Sequence, residues 1–387
     1  MSYRLHTLLF HVLILLVIVV SCVDDNDNTM IIGLDTPKGS DEVQIGDLFN
    51  GPRLIKLETA DSLFLPSNFQ YWLGEDHLIV FTRSQILQFS ADGRFIRLLK
   101  QRGRGPDEFS RVCCYDVDES NDVLYYLDLK AKGKLILLDL LDGTEMEYIT
   151  LPESIDLDYS GIKILPDGRI LCFNSFYEES LNLCYYLEEG GEPQEIIKKP
   201  NWMRENPPTA YWSYIGSYDN KISYMNGITD TLFRLENSGL SSEFFIELEV
   251  RYHPNDRPSG FFPAIAFESN RYLLIKRMEV VSVYDKGLGR ISRRLLDEYG
   301  LFLYDKKDQL LKEVDGLYIN SLEIPDFTSM TQSGLNVSML LEANDLISWR
   351  KKVLSDDQLR NDLPEPLLDI ILKVEVNDNP YILAGKI

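Results

Sequence analysis

ESNDVLYYLD, residues 119–128, is a polar turn that opens at once into a run of β-forming residues. The pattern recurs outward in both directions, as GEDHLIVF (74–81), PDGRILCF (166–173), YDNKISYM (218–225), ESNRYLLI (268–275) and VDGLYI (314–319). Taking Asp76, Ser120, Asp167, Asp219, Asn270 and Asp315 as markers, the steps are 44, 47, 52, 51 and 45 residues. A second series of turns lies between them: SADGRFIRLL (90–99), LDGTEMEYITL (141–151), EEGGEPQEII (188–197), ENSGLSSEFFIEL (236–248) and a late YDKKDQLLKEV (304–314). Two hairpins per unit make four short strands, and four strands in roughly 40–50 residues is the pattern of a propeller blade. The expected fold is all-β: a six-bladed β-propeller with four-stranded blades.

A ring of blades must close, because an open seam leaves strand edges exposed. PRLIKLET (52–59) precedes the first complete unit and is expected to supply the outer strand of the last blade. FFPAIAF (261–267) reads as a core strand. Segment 277–300 delays the second hairpin of the fifth blade, as a functional loop or a structural elaboration. SDDQLRNDLPEPLLDIILKV (355–374) has helical spacing, with prolines at 364 and 366 placed to divide it. DNPYILAGKI then returns to a strand.

The chain has 387 residues, 44% hydrophobic and 11% aromatic, enough for a large core and unlike a disordered protein. Its net charge of −22, with basic residues scattered among acids, argues against a nucleic-acid partner, which needs a clustered positive face. Residues 1–21 form a unit of their own. Arg4 supplies a positive start, and Leu8 to Val20 is an apolar run too short to span a bilayer stably. Val19-Val20-Ser21-Cys22 resembles a bacterial lipobox, in which cleavage leaves Cys22 carrying acyl chains, palmitate among them; a plain cleaved signal is the alternative. Residues 22–40 read as a flexible acidic tether and 41–387 as the propeller. Cys113, Cys114, Cys172 and Cys184 fit no zinc motif; Cys172 and Cys184 read as buried thiols, with a hairpin disulfide as the alternative.

KQRGRGPDEFSRV (100–112) falls between the first two blades. It lacks the Gly-Lys-Ser/Thr opening a helix that a phosphate loop needs, and strand-like residues follow it. Gly103, Gly105, Pro106, Glu108 and Phe109 match a Gly-x-Gly-Pro-Gly-Glu-Phe/Tyr segment, with Asp107 in place of the third glycine. With the lipobox, IKLET and DNPYIL, this segment makes the whole chain resemble the Bacteroides-type six-bladed β-propeller lipoproteins, envelope proteins largely without assigned function. That resemblance implies an outer-membrane anchor, with Asp24 and Asp25 where a surface-export signal would stand, and a link to glycan utilisation. The loop itself reads first as a connector: Phe109 plugs the interblade groove, while Arg102, Arg104 and Glu108 pair with neighbouring strands or face the funnel.

Chemistry-bearing residues are sparse. After cleavage only His77 and His253 remain, too few for a three-histidine metal site. No nucleophile elbow or calcium-binding loop is present, and among 61 acids no spacing nominates the axial Ca²⁺ ligands of a propeller lactonase. Tyr211, Trp212 and Tyr214 are candidate ligand-facing aromatics, for a sugar or a protein partner, or else interblade filling. The expected function is a non-catalytic binding or scaffolding platform, with a protein partner in the envelope or a glycan. The alternatives are a lactonase- or lyase-type enzyme with axial Ca²⁺ and a structural subunit of an envelope complex.

Overall fold

Polar turns bearing a residue at positive φ divide the chain into antiparallel meanders. Asp122 (φ 54°), Gly93 (91°), Gly143 (83°) and Gly168 (82°) occupy four of these turns. The structure, a computed structural model, describes residues 29–387 apart from 60–62, 64, 67–68, 106, 132–133, 152–160, 166, 174–181, 188–193, 199–212, 219–220, 227–229, 237–238, 250–258, 286–289 and 326–329.

The chain enters through β1 (Met30–Gly33), β2 (Ser40–Gln44), α1 (Ile45–Leu48) and β3 (Asn50–Lys56). Blade 1 follows as β4 (Gln70–Leu73), β5 (His77–Phe81), β6 (Gln85–Ser90) and β7 (Phe95–Gln101). Blade 2 is β8 (Val112–Asp118), β9 (Val123–Asp128), β10 (Lys134–Asp139) and β11 (Glu145–Thr150). Blade 3 is β12 (Gly161–Ile164), β13 (Ile170–Phe173), β14 (Asn182–Leu187) and β15 (Gln194–Lys198). Blade 4 is β16 (Ser213–Tyr218), β17 (Lys221–Asn226), β18 (Thr231–Glu236) and β19 (Gly239–Glu247). Blade 5 is β20 (Ser259–Glu268), β21 (Tyr272–Asp285), β22 (Arg290–Asp305) and β23 (Leu310–Ile319), with β24 (Leu322–Glu323) folded back on β23. The six sheets form a six-bladed β-propeller.

The ring closes as the sequence implies. Blade 6 is β25 (Thr331–Ser333), β26 (Asn336–Leu341) and β27 (Tyr381–Lys386), and its outer strand is β3 from the start of the chain. Leu54 pairs with Leu383 and Lys56 with Tyr381. DNPYIL holds this seam. Asn379, wholly buried, accepts from the Leu65 amide (2.8 Å) and donates to the carbonyls of Glu58 (2.8 Å) and Leu63 (2.9 Å). Asp378 pairs with Lys56 (2.7 Å) and accepts from the Tyr381 hydroxyl (2.6 Å). Apolar faces of adjacent blades pack together, as where Ile79, Phe81 and Leu99 of blade 1 meet Val117, Leu124 and Leu138 of blade 2.

Three expectations need correction. The stretch assigned to a flexible tether, 22–40, contains β1, which pairs in parallel with β19; burial of Ile32 and of Leu34 just beyond it against blade 4 outweighs the polar surroundings. VDGLYI is not a turn: β23 runs through Asp315 and Gly316, and β2 pairs in parallel along it. The first hairpin of blade 6 lies later, at Ser333–Asn336, where Gly334 has φ 57°. The helical segment is also longer than 355–374. It starts with α2 (Ala343–Ser355) and continues through α3 (Asp357–Asp362) and α4 (Glu365–Lys373) between β26 and β27. Its Leu346, Trp349, Val353 and Ile371 pack with Leu317, Ile319 and Leu322 of blade 5. Pro364 is the N-cap of α4, so the prolines do divide the segment. Among the described residues no helix is long and apolar enough to cross a membrane.

The fifth-blade elaboration is a hairpin lengthened within its own sheet, paired from Tyr272↔Asp305 out to Asp285↔Arg290. Cys172 pairs in register with Tyr185 and Cys184 with Phe173, so the two cysteines are not directly opposed. Cys113, Cys114 and Cys172 are thiols rather than disulfides.

Candidate functional site

The connector 101–111 leaves β7 and folds back on itself. Phe109 donates its amide to the Gln101 carbonyl (3.1 Å), and Gly103 donates to the Phe109 carbonyl (2.9 Å). The Phe109 ring is buried between blades 1 and 2. Glu108 turns inward and accepts from the Gly105 amide (2.6 Å). A Cβ on Gly103 would lie 1.9 Å from the Glu108 carboxylate, so a side chain there would displace Glu108 from its place over the connector. Arg104 is exposed; its carbonyl and that of Gly105 accept from the Lys130 ammonium (3.1 and 2.8 Å).

Lys130 stands just beyond the end of β9, beside Asp128. The Asp128 Oδ1 accepts from the Ser110 amide (3.0 Å), the Ser110 hydroxyl (2.6 Å), and the amides of Arg111 (3.0 Å) and Lys130 (3.3 Å). A buried carboxylate is tolerated when its charge meets this many donors. The connector is thus strapped to blade 2 from both ends.

Between the connector and the outer strands of blades 1 and 2 lies a cleft of about 520 Å³, within the range of small-molecule sites. Asp107 and Glu108 form one wall, Lys100 of β7 another, and Tyr126, Asp128, Lys134, Glu145 and Tyr148 of blade 2 the floor and rim. Lys100 pairs with Glu145 across the blade junction (2.9 Å). The Lys134 ammonium sits 3.7 Å from the centre of the Tyr148 ring, a cation–π contact at the exposed rim. Tyr126 is only 1% exposed. Burial, and then the negative charges of Glu145 and Asp128, push its hydroxyl far above the usual tyrosine range, so it stays protonated.

The axis is organised differently. Gln332 of β25 accepts from the Tyr214 hydroxyl (3.0 Å) and the Glu268 amide (3.2 Å), and donates to the carbonyls of Ser217 (3.3 Å) and Glu268 (3.0 Å). One side chain therefore ties together the innermost strands of blades 4, 5 and 6. Beside it lies a buried charge cluster in which Glu268 pairs with Arg234 (2.8 Å) and Lys306 (2.7 Å), and Arg234 also meets Glu243 and Ser223. Burial alone would raise the Glu268 pKa; Lys306 and Arg234 outweigh it and hold the carboxyl below its ordinary range. Among the described residues no three His, Cys, Asp or Glu side chains converge as a metal site.

The predicted site residues therefore scatter. Of the loop residues Glu108 lines the cleft, Gly103 and Gly105 pack against its carboxylate, Phe109 is buried between blades 1 and 2, and Arg104 is exposed. Tyr214 is half-buried and engaged with Gln332. Cys22, Pro106, Tyr211, Trp212 and His253 lie outside the described residues, as do the side chains of 280–299 on the long hairpin. His77 is a bridging residue, held by Asp122 (2.9 Å) and Gln88 (3.2 Å) at the junction of blades 1 and 2. Sequence reasoning missed Tyr126, Asp128, Lys134, Glu145 and Tyr148. The available signal was an acid closing the apolar strand VLYYLD, next to a lysine-bearing turn.

Fold and cleft together define a six-bladed propeller with a lateral polar cleft at its first blade junction. The chain belongs to the family described as a domain of unknown function (DUF4934), whose model matches residues 30–386. Among solved structures it is similar to a Bacteroides fragilis protein designated as exported, with TM-score 0.64 and 15% identity over 92% of this chain and 100% of that one. It is also similar to the N-terminal domain of Nup159, with TM-score 0.41 and 12% identity over 81% and 80%. No curated protein matches.

Proposed function

We propose that the chain is an exported, non-catalytic lipoprotein, held at the outer membrane through acylated Cys22, that serves as a binding or scaffolding platform in the envelope. The observation that carries this reading is the lateral cleft. It is preassembled by the Asp128 and Lys130 contacts, stands open at the rim of a closed ring, and presents both signs of charge beside an exposed aromatic ring. Rigid scaffolds that hold polar groups in place favour recognition. The apolar leader ending in Ser21-Cys22 supports export and anchoring.

Two measurements test the proposal together. Cells expressing the full chain are labelled with a palmitate analogue and fractionated. Label in the outer-membrane fraction that disappears in Cys22→Ser supports the anchor, and unlabelled wild-type protein overturns it. Crosslinking intact cells and identifying the co-purified species tests the platform: a recurrent envelope partner supports it, and recovery of the chain alone contradicts it.

A further inference from the structure

We propose that the cleft between blades 1 and 2 is a saccharide-binding site, taking a neutral polyhydroxylated ligand with one hydroxyl seated against Tyr126 and Asp128. This deepens the platform reading and rests on it. Two buried groups on the cleft floor point to a ligand. Tyr126 is 1% and Asp128 5% exposed, yet both line the cavity. The Tyr126 hydroxyl meets no hydrogen-bond partner among the described residues, and neither does the Asp128 Oδ2, while the Oδ1 of that carboxylate accepts four bonds. Neither atom is sealed from solvent, so both face the open cleft, unpaired by protein and available to a partner that enters it.

The chemistry of the partner follows from what the floor offers. Tyr126 supplies an O–H donor, and Asp128 supplies an anionic acceptor, with Glu145 close enough to bear on the Tyr126 hydroxyl. An anionic ligand would meet the Asp128 and Glu145 charges directly. A cationic one would satisfy Asp128 but face Lys100, Lys130 and Lys134 on the way in. An alcohol hydroxyl both accepts from Tyr126 and donates to Asp128 with no net charge. Lys134 and the half-exposed Tyr148 ring at the rim complete the match: an ammonium that donates to further hydroxyls, and a face for the C–H surface of a sugar ring.

The test titrates the full chain, in a detergent without a sugar headgroup, with glucose, mannose, galactose, maltose and cellobiose, followed by saturation-transfer NMR. Glucosamine and glucuronate serve as cationic and anionic comparisons. Saturable binding of at least one neutral sugar is expected, stronger than that of either charged analogue. Tyr126→Phe keeps the packed ring and removes only the hydroxyl; it should weaken binding about fivefold, with an unchanged thermal midpoint. Tyr148→Ala at the rim should reduce saturation transfer to the ring protons. Absence of binding by all five neutral sugars overturns the proposal, as does binding unaffected by Tyr126→Phe or preference for a charged analogue. Partner recovery from crosslinked cells is read separately, so the platform can stand if the saccharide site fails.

Discussion

Asn379 shows how much a single side chain carries in this ring. Its amide satisfies three backbone groups between β3 and β4, so Asn379→Ala leaves buried partners unmet and should cost about 3 kcal/mol, read as a lower urea midpoint. Gly93 is a second such position. At φ 91°, a Cβ there would lie 2.2 Å from the Lys56 carbonyl on the closing strand. Gly93→Ala should therefore cost about 2–3 kcal/mol through backbone strain. Glu268 makes a pH prediction. Its folded pKa is depressed, so the stability it contributes is fully present above the ordinary glutamate range and is lost as pH falls through the folded value. Glu268→Gln should flatten the acid limb of a stability–pH profile. At neutral pH it should destabilise by about 3–5 kcal/mol, because Arg234 and Lys306 keep their buried charges. Little of this could be read from sequence. Gly93 announces itself as a turn glycine, but Arg234 and Glu268 converge from separate strands and Lys306 from the turn after β22, each in a pattern that looks like ordinary half-polar β-structure.

Strand units were legible because their turns carry strong local chemistry. Asp122, Gly143 and Gly168 each sit at positive φ between apolar runs, and no tertiary information is needed to find them. Where local and tertiary preferences diverge, the reading fails. Asp-Gly at 315–316 has turn composition, yet β2 lies along that stretch of β23 and keeps it extended. ANDLISWRKKVLS lacks punctuating glycine or proline; its helical face is plain only once Leu346, Trp349 and Val353 are seen against blade 5. β1 is four residues long and could not signal its own pairing. The closing strand is the element on which the ring depends. Ile55 is 3% exposed and packs where blade 6 meets blade 1. Ile55→Ala should lower stability by about 2–5 kcal/mol, and the loss should appear as one cooperative transition, since opening the seam exposes two blade edges.

At the scale of the whole molecule, the ring is sealed and its decorations are lateral. Gln332 draws three inner strands together on one side of the axis, α2–α4 cover the outer part of blades 5 and 6, and β1 and β2 extend the edges of blades 4 and 5. The first two blades carry no added strand, and their outer strands and turns hold five exposed large apolar side chains: Ile96, Leu98, Leu141, Met146 and Tyr148. The proposed platform would therefore recognise its partner on this side, where the connector KQRGRGPDEF, read from sequence chiefly as a hinge, also contributes Asp107 and Glu108 to a cleft wall. The most direct test places a photoreactive amino acid at Tyr148, on the cleft rim, or at Val376, an exposed position between α4 and β27. Irradiating cells that carry each full-length variant should give a discrete adduct from position 148 and none from 376. Equal labelling at both positions, or no adduct at 148, would contradict a platform that works through the cleft between its first two blades.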